Sequence, residues 1–171
     1  GIGDKSNGWK EKSGYSIWDR SFDLKIDLLK NNKLFPDTAI GFNDIIGTGK
    51  FSGEYLVSSK NIMKNVRLTG GIGWGRLGTA NKISSGNKRN NNTGGDLGGL
   101  LRYEQLFQGD IGVFGGLDIN TSLNGLSVQL EMSSDNYAYD SAYLNQRPKS
   151  QINYGVKYKI NENINLSSSY N

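Results

Sequence analysis

The chain has 171 residues, enough for one domain, and only 35% of them are hydrophobic; no stretch approaches the ~20 apolar residues of a membrane-spanning helix. Cys and His are both absent, which excludes disulfides, thiolate nucleophiles, Cys- or His-based metal centres and His general bases. Twenty Lys and Arg against sixteen Asp and Glu leave a net charge of +4, mild and interleaved rather than gathered into the stripe that nucleic acid needs.

The chain opens Gly1-Ile2-Gly3-Asp4, without Met. That start predicts a processed product or a piece of something longer. The period along the chain is two, not 3.6. In residues 21–29 the apolar Phe22, Leu24, Ile26 and Leu28 alternate with Ser21, Asp23, Lys25 and Asp27. Such alternation makes a strand with one apolar face. Weaker strands are expected near 38–46 and 51–59. Val66, Leu68, Ile72 and Trp74 mark the fourth strand, and Val113, Leu117 and Ile119 the fifth. Val128, Leu130 and Met132 mark the sixth. Ile152, Tyr154, Val156, Tyr158 and Ile160 mark the seventh, and Ile164, Leu166 and Tyr170 the last. The pattern predicts an all-β antiparallel meander of about eight strands in one domain over 1–171.

The links alternate in length. Asn124-Gly125 and Asn161-Glu162 predict tight turns, whereas 78–112 and 135–150 are long, polar and rich in Gly, Asn and Ser. Long links follow the fourth and sixth strands and tight ones the fifth and seventh. Long loops at one rim and short turns at the other fit an up-and-down transmembrane β-barrel, or part of a larger barrel. A closed eight-strand barrel has an interior filled by side chains, so it is no open pore. Tyr15, Trp18, Trp74, Tyr154, Tyr158 and Tyr170 lie near strand ends or on the apolar parity, where an interfacial girdle sits. The polar parity is read as carrying Glu54, Arg67, Asp118, Glu131 and Lys157, with mixed signs that suit mutual neutralisation across a lumen; with Asp44 they are the candidate lumen-lining or polysaccharide-contacting residues. A soluble β-sandwich that binds carbohydrate remains the alternative, because it alternates in the same way.

Residues 40–60, from Ile40-Gly41-Phe42-Asn43-Asp44 through Ser52-Gly53-Glu54-Tyr55 to Lys60, resemble the signature of the YjbH-like exopolysaccharide biosynthesis proteins, a family of bacterial outer-membrane β-barrel lipoproteins. Gly70-Gly71-Ile72-Gly73-Trp74-Gly75-Arg76 is similar to that family's glycine-tryptophan strand. Phe114-Gly115-Gly116-Leu117, residues 130–137 and Ile152-Asn153-Tyr154-Gly155-Val156 resemble later blocks in the same order. The resemblance covers roughly 40–160 and implies a segment of a longer protein. It implies a part in export or assembly of exopolysaccharide at the bacterial outer membrane. The partners it implies are outer-membrane lipid, the polysaccharide and other export proteins. No lipobox cysteine is present, so lipid anchoring is not carried over. A purely structural outer-membrane scaffold is a further alternative.

Other motifs have plainer readings. Gly47-Thr48-Gly49-Lys50 lacks phosphate-loop spacing and reads as a turn between strands. Alternating Gly71, Gly73 and Gly75 leave one strand face bare, for a bend, for bulky neighbours, or for close approach of a sugar chain. Asp44 and Glu54 flank a hairpin. A glycosidase would use such a carboxylate pair, with Asp118 or Glu131 as further candidates; the default for the pair is an ion-pair role with Arg67 or Lys60. Asp135 and Asp140 lack EF-hand spacing and are read as a solvated loop. Lys82, Lys88 and Arg89 form a loop cluster, either simply solvated or a patch for anionic sugars or headgroups. Tyr137, Tyr139 and Tyr143 suit sugar stacking or an interfacial belt. No catalysis, cofactor, metal or nucleic-acid partner is expected.

Overall fold

The computed structural model describes residues 9–10, 16–17, 21–30, 33–46, 49, 51–89, 101, 103–137, 149–161 and 163–170. Its strands are β1 (Trp9–Lys10), β2 (Ser16–Ile17), β3 (Leu24–Leu29), β4 (Asp37–Asn43), β5 (Gly53–Met63), β6 (Val66–Gly73), β7 (Lys82–Ser84), β8 (Ile111–Asn120), β9 (Leu126–Met132), β10 (Ile152–Lys159) and β11 (Asn165–Tyr170). Among the described residues helix is limited to two short 3₁₀ turns, Gly75–Gly78 and Tyr103–Gln105. Among the described residues no helix is long and apolar enough to cross a membrane, which says nothing of strands.

β1 and β2 pair only with each other. The other nine strands form one antiparallel sheet in the order β11-β10-β9-β8-β6-β5-β4-β3, with β7 paired beside β8. The meander predicted from the alternation is therefore present, strand for strand. Three features depart from the expectation. β7 is an added three-residue strand inside the 78–112 link. Bulges at the registers Asp27/Leu29 and Asn61/Met63 insert one residue each, so Leu28 falls out of the β3 ladder, and the β7–β8 pairing shifts register between Lys82 and Ser84. The sheet is open rather than closed on itself, with β3 and β11 as its edges.

Register carries the side-chain phase across the sheet. Residues opposite one another share a face. Leu68 faces Leu117, which faces Leu130, which faces Tyr154, which faces Tyr170. Ile26, Ile40, Leu56, Ile72 and Val113 run the same way through the first half. The opposite face carries Lys25, Asp37, Ser59, Arg67, Asp118, Gln129, Glu131, Lys157 and Lys159.

Burial is inverted relative to a water-soluble sheet. Leu68 is 48% exposed, Val156 45% and Leu166 58%, all on the apolar face. The only buried hydrophobic side chain among the described residues is Ala39, and it lies on the polar parity. Gly41, Gly73 and Gly112 are also buried on that parity. Apart from one loop end described below, no described sheet or helix covers the apolar side. Soluble monomers rarely expose a continuous apolar patch larger than a few hundred Å².

Two glycines on the polar face act as slots for rings. A Cβ on Gly41 would meet the Tyr55 ring at 2.1 Å, and one on Gly71 would meet Phe114 at 2.3 Å. The two rings stand edge to face, centroids 6.3 Å apart. Gly70, the neighbour of Gly71, has nothing within 4 Å of its Cβ position. Adjacent glycines should thus respond oppositely. Gly71→Ala should destabilise by about 1–3 kcal/mol through overpacking, whereas Gly70→Ala should be neutral or stabilise by up to about 1 kcal/mol. Urea unfolding of both variants in detergent checks this; equal effects would contradict the ring-in-slot packing.

Candidate functional site: the loop rim

The links after β4, β6 and β9 gather at one end of the sheet, and the tight turns lie at the other. Every polar side chain buried among the described residues belongs to the loop end: Asp44, Ser52, Glu54, Gln105, Ser133, Ser134 and Asp135. Most buried polar groups are paired, and the rim is held by such pairs, although Ser134 Oγ and Arg89 Nε have no hydrogen-bond partner among the described residues.

Glu54 is 1% exposed. It lies opposite Phe42 and two residues from Leu56, so it shares the apolar parity. This corrects its placement on the polar face. Arg89 reaches it as a fork: Nη1 donates to Oε2 at 2.8 Å and Nη2 to Oε1 at 2.9 Å. Arg89 Nη2 also donates to Ser52 Oγ at 2.8 Å, and the Phe107 N–H donates to Glu54 Oε2 at 3.0 Å. Planar, bidentate geometry is what a guanidinium supplies and an ammonium does not. The Phe107 side chain packs against two further rings. Its ring meets Phe42 at 5.8 Å and Trp74 at 5.1 Å, both edge-on. The expected partners of Glu54 are engaged elsewhere: Lys60 donates to the Leu34 carbonyl, and Arg67 pairs with Asp37 at 3.1 Å.

A second buried pair joins the two long links. Arg76 Nε donates to Asp135 Oδ2. The same guanidinium lies 5.3 Å from the Phe51 ring centroid and 5.5 Å from that of Tyr137, a double cation–π contact. Tyr137 N–H donates to Asp135 Oδ1 at 2.7 Å, Ala80 N–H to the Ser134 carbonyl at 2.8 Å, and Asn81 Nδ2 to the Ser133 carbonyl at 2.7 Å. The loops are stitched together rather than merely adjacent.

The other site candidates separate into two groups. Asp44, Glu54, Trp74 and Tyr137 come together at the rim. Asp44 has φ +51°, takes the Gly49 N–H on Oδ2 at 3.1 Å, and gives its own N–H to Asp23 Oδ1 at 2.9 Å. Arg67, Asp118, Glu131 and Lys157 are spread along the polar face. Arg67 is opposite Asp118, which accepts from Gln129 at 2.7 Å. Glu131 lies opposite Gly116 and Asn153, and Lys157 opposite Ser127. Tyr139, Tyr143, Asp140, Tyr15 and Trp18 lie outside the described residues. The loop cluster is not a free basic patch, because Arg89 serves Glu54 and Lys82 pairs with Asp110 at 2.5 Å. Among the described residues no three metal-type ligands cluster.

Arg76, Arg89 and Asp135 are rim residues whose pairings the period-two reading missed. For Arg89 alone there is a signal, and it appears only once the register is known. A glutamate on the parity of Leu56 demands a cation from another segment.

The sequence profile described as "Exopolysaccharide biosynthesis protein YbjH" (YjbH) matches residues 3–171, the span that holds both the rim and the whole sheet. The chain belongs to the YjbH exopolysaccharide biosynthesis family. It is 35% identical over 160 residues to the "Uncharacterized lipoprotein YjbH" of Escherichia coli (strain K12). That alignment covers 89% of this chain but 22% of the relative, so the chain spans about a fifth of the relative's length. No solved structure matches. Blocks quoted for the YjbH resemblance supply Glu54, Trp74, Arg76, Asp135 and Tyr137, and the fold brings these blocks to one rim.

The buried pair makes a quantitative prediction. Glu54→Ala or Arg89→Ala alone should cost roughly 3–5 kcal/mol, because each leaves a buried charge unpaired. The double variant should cost clearly less than the sum. A double-mutant cycle from denaturant unfolding checks it, and strict additivity would mean the two side chains do not interact.

Proposed function

We propose that the chain is a segment of a larger bacterial outer-membrane β-barrel, acting without catalysis in export or assembly of exopolysaccharide. The observation that carries this reading is the bare apolar face. Hydrocarbon covers such a face at no cost, whereas water does not. The polar face then lines the lumen, with small residues, serines and charges in the Arg67–Asp37 style. β5 and β8, at 11 and 10 residues, match the ≈ 9–11 residues of a tilted spanning strand. The open edges at β3 and β11 fit a segment, because unpaired backbone groups are not tolerated in lipid. Further strands of the same longer protein pair with them. Exposed Tyr154 and Tyr170, in ring contact at 5.4 Å, suit an interfacial belt. The family description supports the polysaccharide role, and the word lipoprotein in the relative's name fits a membrane location. Outer-membrane lipid, the polymer and other export proteins are the partners in this reading.

The soluble-sandwich alternative lacks a second layer among the described residues. In a strain deleted for the full-length protein, surface polymer should fall and polymer should accumulate behind the outer membrane; undiminished surface polymer overturns the export role. Val156→Lys should cost roughly 2–4 kcal/mol if the residue meets mid-membrane lipid. Lys157→Val, on the other face, should cost about 0.5 kcal/mol or less. Equal tolerance in detergent unfolding would sink the membrane assignment. Asp118→Ala and Glu131→Ala should leave polymer chain length unchanged by size-exclusion chromatography. A shift in length would restore the glycosidase reading.

A further inference from the structure

At the tight-turn end, the polar face closes in a concavity of ≈ 350 Å³ lined by Asn120, Thr121, Ser127, Lys157, Lys159 and Asn165, among others. Register sets these side by side. Ser127 lies opposite both Asn120 and Lys157, and Asn165 opposite Lys159. Lys157 and Lys159 are two apart on β10, so they leave the same face with Cα atoms about 6.7 Å apart.

These two lysines differ from other charges of the face. Arg67 has Asp37, and Asp118 has Gln129. Lys157 and Lys159 make no ion pair among the described residues. The side-chain amides of Asn120 and Asn165 are likewise not engaged with any described group. The backbone beneath is fixed. Asn120 N–H donates to the Asn65 carbonyl at 2.8 Å, and Lys159 N–H to the Gly125 carbonyl at 2.7 Å. Gly125 has φ +81°, and a Cβ there would lie 2.3 Å from the Lys159 carbonyl oxygen. The turn can therefore neither swing nor take a side chain at that point.

Two ammonium groups with free amides beside them suit a ligand that carries carboxylate and hydroxyl groups together. We propose that this concavity binds the carboxylate-bearing sugar residues of an acidic polysaccharide. Lys157 and Lys159 neutralise the carboxylate, and Asn120 and Asn165 bond the ring hydroxyls. The proposal rests on the polysaccharide reading above and narrows it to an acidic polymer. A lipid headgroup fits less well, because the lysines lie on the face opposite the apolar one.

The test uses the intact protein in detergent, with an oligogalacturonate as acidic probe, maltohexaose as neutral probe and phosphatidylglycerol vesicles as lipid probe. The wild type should bind the oligogalacturonate, more weakly as salt rises. K157Q/K159Q should bind it at least tenfold more weakly, with an unchanged unfolding midpoint. K157R/K159R should retain binding. Undiminished binding by K157Q/K159Q overturns the site. Maltohexaose binding alone overturns the site but keeps the polysaccharide reading, whereas failure of both glycans counts against both. Lysine-dependent binding to the vesicles without oligogalacturonate binding assigns the site to lipid and overturns the proposal.

Discussion

Side chains alternate across a pleated strand, and in-register antiparallel pairing passes that alternation to the next strand. From β4 to β10 it is passed through the central registers, so one face accumulates Leu, Ile, Val and Tyr while the other accumulates charges, serines and glycines. Everything else in the molecule follows from that separation. A two-faced sheet with no second layer must find an apolar medium for one side and keep water, or its own polar groups, on the other. The two bulges fall at the tight-turn end, in β3 and β5, and leave the phase of the central ladders intact.

The rim breaks the rule and shows how the break is stabilised. Glu54 sits on the greasy parity at a strand end, where a carboxylate without a partner would be expensive. Its charge is met by a guanidinium from a loop 35 positions away and by the Phe107 N–H. Arg76 and Asp135 do the same between the two long links. Charge pairing thus fixes loops that have little apolar surface of their own to bury. Such pairs specify an arrangement more than they add net stability.

The eight long strands were legible because period two leaves a mark in each of them, and the link lengths marked which rim was which. Asn124-Gly125 announced its turn through the positive φ that glycine tolerates. The bulge at Leu28 was not legible, since Leu28 and Leu29 are equally apolar and a one-residue slip leaves the pattern unchanged. β7, with three residues in a Gly- and Ser-rich run, is too short for a period to register. The partner of Glu54 lay across a segment without periodicity, so only the register could show that Glu54 needed one and only the fold could show that Arg89 supplied it. Open edges are likewise invisible to alternation, which reports on faces and not on neighbours.

The slots at Gly41 and Gly71 have a consequence for how this sheet tolerates change over time. Each missing side chain is matched to a ring on the adjoining strand, Tyr55 in one case and Phe114 in the other. Neither member can be exchanged alone: enlarging the glycine evicts the ring, and removing the ring bares backbone. The two pairs are therefore heritable as units. A change that keeps the packing must therefore alter the glycine and its ring together.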